Sequence, residues 1–181
     1  MTDSSTGRRG KETASMYEIF GEMDSAGEIN AAAEGLKNEG DRENLYRLAE
    51  ENGIDSAFVD MYLDGSMENL CCDAATAALG KIEAEAAELK PVEIVADWTE
   101  YIKTLCGDSE EFARAVRRKG KSLKGCIGSL LGWSFKARYK VDRDIIKAAG
   151  INMSVEMGIP GMGTAKRLIR EYYLGAGGTE K

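Results

Sequence analysis

The sequence predicts an all-α protein, a compact arrangement of about eight to ten short to medium helices. Alanine, glutamate, lysine and leucine are abundant, and only two prolines, Pro91 and Pro160, occur in 181 residues. Apolar residues recur at three- and four-residue spacing, whereas runs of β-branched residues are rare, so no pair of strands is predicted. Because 43% of the residues are hydrophobic, the chain can bury a core as one domain or two small ones.

Helix caps and glycine stops define the predicted elements of the first half. A short amphipathic piece is expected over residues 15–23. Ser25 and Glu28 form a capping box for a helix that Gly40 ends. The same kinds of signal predict three further helices, at residues 41–53, 55–63 and 66–89.

The second half is predicted to continue in helices. Pro91 stands where the first turn of a helix favours proline, and Trp98 and Ile102 follow at helical spacing. Asp108 is expected to cap the next helix. Helices are predicted at residues 108–118, 122–139, 142–149 and 164–174, with 150–163 as a loop that ends in a turn like that of a helix-hairpin-helix motif.

Composition divides the chain into four predicted regions. Residues 1–14 are expected to be a disordered leader, because they are polar and lack the apolar segment of a secretory signal. An acidic helical region, 15–90, and a basic helical region, 91–174, follow, and a flexible, glycine-rich tail covers 175–181. No stretch of about 18 apolar residues is present, so neither a membrane span nor a membrane partner is expected.

Charge is distributed unevenly along the chain, whose formal net charge is −7. Residues 1–110 contain 9 Lys and Arg against 25 Asp and Glu, a net charge of −16. Residues 111–181 contain 15 against 6, a net charge of +9. Such asymmetry indicates partners that are selected by electrostatics, and it favours a protein that works by binding other macromolecules.

Catalytic and metal-binding motifs are missing from the sequence. The four cysteines, Cys71, Cys72, Cys106 and Cys126, form no CxxC pair, and there is no histidine. We expect core thiols in a reducing cytosol, with no metal and no cofactor. Without histidine, GxSxG or GxxxxGK[ST], an enzyme of unfamiliar type is the less favoured alternative to a binding protein.

The segment 48–65 has the spacing of a helix-turn-helix, with a glycine in the turn. Its second helix carries Asp55, Asp60 and Asp64 but no lysine or arginine, and Glu68 follows. Phosphates would repel such a helix. A plain helical hairpin, or an acidic surface that faces a basic protein, is therefore favoured over a DNA-reading helix.

Basic side chains crowd the segment 114–124. The candidates for contact with nucleic acid are Arg117, Arg118, Lys119, Lys121 and Lys124. Phosphate groups are one target for this cluster. The alternatives are a solvated helix face, or pairing with the chain's own acidic half, which would use the charge internally.

The segment 158–169 resembles the hairpin of a helix-hairpin-helix motif. In that motif a Pro-Gly-apolar-Gly turn runs into a helix whose first N–H groups and dipole bind a phosphate without reading bases. The candidate phosphate-binding residues are Gly161, Gly163, Lys166, Arg167 and Arg170. The alternative is a tight turn whose glycines serve the backbone alone.

Small residues alternate with large ones between Gly125 and Phe135. The glycines Gly125, Gly128 and Gly132 would allow close helix packing, and Trp133 and Phe135 would act as large anchors. This segment is predicted to form the core of the C-terminal part. A groove for a partner is the alternative.

Several of these segments resemble a known group of proteins. Residues 119–127 (KGKSLKGCI), the later Trp133 and residues 169–173 (IREYY) are similar to the PcfK-like accessory proteins of conjugative elements in gut Firmicutes. Members and neighbours of that group act as type II-A anti-CRISPR proteins, which inhibit Cas9. Residues 16–65, with MYEIF and the Asn-Gly-Ile turn, also resemble proteins of this kind.

The resemblance implies a cytoplasmic protein of a host bacterial cell that binds Cas9 or its complex with guide RNA. Cas9 holds guide and target in a strongly positive channel, which the acidic surface would occupy. Inhibition would follow from occlusion or from blocking a conformational step. The alternative is an accessory protein of a mobile element that binds duplex DNA without sequence specificity, through the hairpin and the basic cluster. The two functions are compatible, and the oligomeric state is left open.

Overall fold

The computed structural model describes residues 17–175. This part of the chain contains nine helices and one two-stranded sheet, so the all-α prediction is confirmed. None of the helices in this range is both long enough and apolar enough to cross a membrane. The helices are α1 (Ala26–Glu39), α2 (Arg42–Glu51), α3 (Ser56–Asp64), α4 (Ala74–Leu89), α5 (Ile94–Asp108), α6 (Glu110–Arg117), α7 (Leu123–Lys136), α8 (Arg143–Ala148) and α9 (Met162–Leu174). The strands are β1 (Tyr139–Lys140) and β2 (Glu156–Met157).

The first three helices form as their capping residues predict. Ser25 accepts a hydrogen bond from the N–H of Glu28 (3.2 Å), and Asp41 caps α2 in the same way. Gly40, in the left-handed conformation, ends α1. The apolar faces of these helices meet in the first of two cores, which we call the N-terminal core. Its large buried members are Ile29, Leu45, Leu48, Ile54, Val59 and Leu70.

Three predicted helices differ from the structure, and one of them, expected to have Pro91 in its first turn, begins instead at Ile94. No helix forms at residues 17–23, and positions 15 and 16 lie outside the described residues. There the carboxylate of Glu51 accepts hydrogen bonds from the N–H groups of Ile19 (2.9 Å) and Phe20 (3.2 Å), and the chain follows turns. The helix expected from residue 66 begins instead at Ala74.

The later start of α4 has a local cause. Asp73 accepts a hydrogen bond from the N–H of Thr76 (2.7 Å) and is the helix cap. Before it, the side-chain amide of Asn30 makes two hydrogen bonds of 2.8 Å to the backbone of Cys71 and holds an irregular loop. These side-chain contacts outweigh the helix propensity of the loop.

Helix α4 lies between the two cores and contributes to both. Ala77 belongs to the N-terminal core, and Ala78 belongs to the second. The turn between α2 and α3 packs directly on this helix, because a Cβ atom on Gly80 would lie 2.3 Å from the carbonyl oxygen of Asn52. A Cβ atom on Gly53, whose φ is +64°, would lie 2.1 Å from the carbonyl oxygen of Gly80. The turn between α2 and α3 is therefore in backbone contact with α4, the helix that both cores share.

The second core, which we call the C-terminal core, is formed by α4, α5, α6, α7 and α9. The ring of Phe112 meets that of Tyr173 edge to face, with 5.2 Å between the ring centroids. Helix α6 is capped by Ser109, which accepts a hydrogen bond from the N–H of Phe112, and not by Asp108 as predicted. Other large buried members are Trp98, Ile102, Leu105, Val116, Leu123, Leu130 and Ile169.

Between α7 and α9 the chain leaves the cores and forms a mostly exposed segment, residues 137–160, which we call the finger. Strands β1 and β2 pair antiparallel within it, with Tyr139 opposite Met157, which corrects the prediction that no strands pair. The N–H of Val141 continues the pairing to the carbonyl oxygen of Val155 (2.9 Å). Helix α8 lies between the strands and buries none of its residues. Two-residue strands are too short to show an alternating pattern in the sequence.

Candidate binding surfaces

The acidic candidates Asp55, Asp60, Asp64 and Glu68 are all exposed, and we call this group the α3 acidic face. Asp60 and Asp64 are four residues apart and so share one side of the helix. Asp55 caps α3 by accepting a hydrogen bond from the N–H of Ala57 (2.8 Å). Helix α3 therefore presents several carboxylates on a rigid element.

Two large apolar side chains accompany these carboxylates. Phe58 is 40% exposed and Met61 is 41% exposed, and they are three residues apart on α3. Residues at that spacing are neighbours on a helix surface. An apolar centre with a charged rim is typical of a surface that binds another protein. We call these two side chains the apolar pair.

No ion pair within the described residues neutralises the α3 acidic face, although the charge of Lys37 contributes to the lowered pKa of Asp64. Among residues 17–175, no ion pair includes any of its four carboxylates. Hydrogen bonds from Ser66 lower the pKa of Asp64 and keep it ionised at neutral pH. Because α3 carries no lysine or arginine, phosphates would repel this second helix of the hairpin.

Arg117 is buried, with 1% of its surface exposed, which corrects the prediction that it contacts nucleic acid. Its guanidinium donates hydrogen bonds to the carbonyl oxygens of Met23 and Ala77 and to Oδ1 of Asn52 (2.9 Å). Ala113, one helical turn earlier, is buried too, so position 117 falls on the inner face of α6. Arg117 joins three segments at the junction of the two cores.

Two other members of the predicted basic cluster bind within the molecule. Nζ of Lys119 lies 3.5 Å from the carboxylate of Glu28, so this lysine pairs with the acidic half, one of the predicted alternatives. Lys121 donates a hydrogen bond to the carbonyl oxygen of Tyr172, and its Nζ lies 4.7 Å from the centroid of that ring. The remaining candidates, Arg118 and Lys124, are exposed. The cluster is therefore dispersed in the fold.

A second polar network, which was not predicted, lies near the same junction. Lys81 is fully buried and pairs with Glu22, which also accepts a hydrogen bond from the N–H of Gly120 (3.1 Å). One turn further along α4, Glu85 accepts a hydrogen bond from the N–H of Leu123. Burial raises the pKa of Glu85. Partial burial would also raise the pKa of Glu22, but the hydrogen bonds from Lys81 and Gly120 outweigh it and lower that pKa.

The hairpin candidate is open to solvent at its turn. Pro160 is buried, whereas Gly161, Met162 and Gly163 are exposed. No side chain of the described residues caps α9. Its first N–H groups are therefore free to bind an anion.

Two of the three basic candidates of α9 are exposed near this turn. Nζ of Lys166 lies 5.0 Å from the centroid of the Tyr101 ring, and the lysine is exposed. Arg167 is exposed as well and forms an ion pair with Glu171 (2.7 Å) one turn further on. Arg170 is partly buried. The turn thus has two exposed cations beside it.

The small-residue segment in α7 is only partly buried. Cys126 and Leu130 belong to the C-terminal core, but Trp133 is partly exposed and Phe135 is 64% exposed. The prediction that both aromatic side chains anchor the core is therefore corrected. The last turn of α7 leads into the finger, away from the buried helices.

The four thiols are all free. Three are buried, as predicted, whereas Cys72 is exposed in the loop before α4. Burial raises the pKa of the Cys106 and Cys126 thiols to about 12, which makes them inert core groups. Within residues 17–175 no group of three or more histidine, cysteine, aspartate or glutamate side chains could hold a metal ion.

No protein-family model, no curated protein and no solved structure matches this chain. The fold and the surfaces define a helical protein with two candidate binding sites of opposite charge. One is the α3 acidic face with its apolar pair. The other is the turn before α9 with Lys166 and Arg167.

Proposed function

We propose that this chain is a non-catalytic protein that binds Cas9 and inhibits it, with the α3 acidic face as the contact surface. One observation carries the proposal: Phe58 and Met61 form a half-exposed apolar pair on a short helix whose exposed carboxylates form no ion pair with any described residue. The resemblance to type II-A anti-CRISPR proteins supports Cas9 as the basic protein that this surface meets.

Charge complementarity explains how the surface would act. The channel of Cas9 is lined with cations that contact the phosphates of guide and target. Carboxylates fixed on a helix present negative charge in place of those phosphates and steer the encounter. The apolar pair would supply the desolvated centre of the contact. Occupation of the channel prevents DNA targeting or cleavage without any covalent step.

A cleavage assay with a charge-reversed face tests the proposal. The face variant carries Asp60→Lys, Asp64→Lys and Glu68→Lys, and it keeps Asp55 because that side chain caps α3. Wild-type protein in molar excess is expected to stop DNA cleavage by guide-loaded Cas9. The face variant is expected to leave cleavage intact, since its lysines would be repelled from the channel.

The matched control reverses three other exposed carboxylates, with Glu88→Lys, Asp97→Lys and Asp108→Lys. This control variant has the same net charge as the face variant, so it is expected to inhibit as well as wild type if the α3 face is the site. Equal loss of inhibition in the face variant and the control variant would show that inhibition depends on the total charge of the protein and not on the α3 acidic face. Unchanged cleavage by several type II-A Cas9 orthologues with excess wild-type protein would refute the function itself.

The second candidate function is duplex DNA binding without sequence specificity, and the uncapped start of α9 favours it. Binding should fall steeply with salt, because phosphate contacts release counterions. The variant Lys166→Glu, Arg167→Glu should abolish binding, whereas Arg42→Glu, Lys90→Glu should not, since those cations are exposed in the acidic half. Binding that survives the first pair of substitutions would rule out this site.

A pull-down separates the two functions. Tagged protein is mixed with cells that express Cas9 and a guide, and half of each sample is treated with nuclease. A direct contact with Cas9 survives the nuclease, whereas an association through nucleic acid does not. Loss of Cas9 from the treated half would contradict the first candidate and support the second.

A further inference from the structure

The finger exposes many large apolar side chains in a short stretch. These are Tyr139, Ile145, Ile151, Met153, Met157 and Ile159, and Phe135 stands just before them. Ile145 is 62% exposed and Met153 is 71% exposed. No residue from 137 to 159 belongs to either core. Exposed apolar surface of this kind is typical of an interaction site.

The finger and the helix turn that precedes it are also basic. Four exposed cations form no ion pair with any described residue: Lys136, Lys140, Arg143 and Lys147. A fifth, Arg138, lies 3.9 Å from the carboxylate of Glu156. The exposed carboxylates Asp142, Asp144 and Glu156 offset part of this charge, so residues 136–160, with five cations and three carboxylates, combine apolar side chains with a formal net charge of +2.

The chain itself carries the complementary surface. The α3 acidic face has the opposite charge, and its apolar pair offers Phe58 and Met61 to other apolar groups. Among residues 17–175, no ion pair joins the cations of the finger to carboxylates of α3. Within the described part of one molecule, neither surface therefore neutralises the charge of the other.

We propose that the finger of one molecule docks on the α3 acidic face of a second copy of this chain. The cations Lys140, Arg143 and Lys147 meet the carboxylates, and the aliphatic side chains of the finger cover the apolar pair. Five of the six exposed apolar side chains of the finger are aliphatic and only Tyr139 has a ring on which a base can stack, which favours this occupant over nucleic acid. Reciprocal contacts close a two-fold dimer, and one-way contacts continue into a longer assembly.

This inference goes beyond the proposed function and does not depend on it. The two share the α3 acidic face, so self-association and Cas9 binding compete for the same surface. Assembly would cover the face at high protein concentration and free it on dilution. The two ideas are nevertheless separable, because self-association is measured on the purified protein alone.

A charge-swap experiment tests the docking. The finger variant carries Lys140→Glu, Arg143→Glu and Lys147→Glu, and the face variant is the one described above. Each variant alone has two surfaces of the same sign and should be monomeric. In an equimolar mixture, the acidic finger of the finger variant meets the basic α3 of the face variant. The unchanged finger of the face variant likewise meets the unchanged α3 acidic face of the finger variant, so the assembly should reform. Light scattering coupled to gel filtration measures the mass, at about 100 μM protein and about 50 mM salt, where screening is weak.

Wild-type protein should show a mass that rises with concentration and falls to that of a monomer at about 0.5 M salt. A second form, in which Lys140–Glu156 is replaced by Asn-Gly, should be monomeric and folded, because β1 and β2 are already paired there and a two-residue turn can join them. Circular dichroism checks its fold.

Two outcomes would overturn the docking. One is wild-type protein that stays monomeric at every concentration tested. In that case, loss of duplex DNA binding by the finger variant would show that the finger contacts DNA and not a second copy. The other is a mixture of the two variants that stays monomeric although wild type assembles. Either result leaves the Cas9 assay unaffected, because the finger variant keeps its α3 acidic face and is expected to inhibit at least as well as wild type.

Discussion

Arg117 holds the two cores together through polar contacts. Its guanidinium reaches two carbonyl oxygens and one amide oxygen, and its Nε has no partner among the described residues. A buried cation is tolerated only while its acceptors stay in place. The three acceptors, on Met23, Asn52 and Ala77, lie on the side of the N-terminal core, whereas Arg117 itself belongs to α6 of the C-terminal core. One side chain therefore links folding of the N-terminal core to that of the C-terminal core.

Replacing this side chain should destabilise the protein strongly. Arg117→Ala is expected to lower the free energy of unfolding by about 3 kcal/mol, because buried acceptors lose their donor and a cavity forms. Arg118→Ala, at the exposed neighbouring position, should change it by no more than about 0.5 kcal/mol. Urea unfolding followed by circular dichroism measures both. Equal effects of the two substitutions would contradict the role given to Arg117.

Glu85 should make stability depend on pH. Burial raises its pKa in the folded protein above the ordinary glutamate value, so protonation favours the fold. This contribution is fully present below the ordinary pKa and is lost as the pH rises through the raised one. Glu85→Gln stays neutral and still accepts the hydrogen bond from the N–H of Leu123. Its stability relative to wild type should therefore increase with pH.

Urea midpoints between about pH 4 and pH 8 measure this difference. Glu88→Gln is the control, because Glu88 lies on the same helix but is exposed. The control should follow the wild-type curve. A difference between Glu85→Gln and wild type that stays constant over this range would show that Glu85 does not change its proton affinity on folding.

At the scale of the elements, the contact between α4 and the turn before α3 fixes the N-terminal helical hairpin against the helix that both cores share. Gly80 and Gly53 bring backbone against backbone, and neither position has room for a Cβ atom. Glycine in a helix normally reduces stability, so its presence in the middle of α4 reflects this close approach. The turn that resembles a helix-turn-helix thus has a structural role in this fold.

Gly80→Ala should lower the free energy of unfolding by about 2 kcal/mol or more, because its methyl group would overlap the carbonyl oxygen of Asn52 and the helices must move apart. Gly35→Ala is the matched control within α1, where a Cβ atom meets nothing within 4 Å. That change should stabilise the protein by about 0.5 to 1 kcal/mol through helix propensity. Thermal and urea unfolding measure both, and a stabilising Gly80→Ala would show that the contact is not tight.

Local signals predicted most helix boundaries but not the contacts between elements. Caps such as Ser25, Asp41 and Ser122 act through neighbouring N–H groups, so their effect can be recognised in the sequence. The late start of α4 depends on Asn30, which is distant along the chain from the loop that it holds. The pairing of β1 with β2 likewise depends on residues brought together only by the fold.

At the scale of the whole molecule, the acidic surface predicted from the sequence stays together in the fold, whereas the predicted basic cluster is divided. The sequence left open whether the acidic and basic parts pair within the molecule, and in residues 17–175 the α3 acidic face is exposed and forms no ion pair. The basic cluster at residues 114–124 is divided, because Arg117 is buried, Lys121 bonds to the carbonyl oxygen of Tyr172, and the exposed Lys119 pairs with Glu28 of the same molecule. Among the described residues, the exposed cations that form no ion pair include Lys140, Arg143 and Lys147 in the finger and Lys166 beside the start of α9.

The apolar members of the candidate sites were harder to predict. Phe58 and Met61 follow helical spacing and look like core residues, since the sequence does not show which side of α3 is covered. The sequence predicts a core position for Phe135 for the same reason, although it is 64% exposed. The sequence contains only a weak indication that Lys81 is buried. This lysine stands four residues before Glu85 on an alanine-rich face of α4. Only packing decides which of these side chains meet solvent.

The affinity of Cas9 for the wild-type protein, the face variant and the control variant tests most directly whether the α3 acidic face is the binding surface. Guide-loaded Cas9 is immobilised, and binding is followed at several salt concentrations. Wild-type and control proteins should bind equally and more weakly as salt rises, and the face variant should bind at least about tenfold more weakly. Equal affinities of the face variant and wild type, or no binding of wild type at any salt concentration, would contradict the claim.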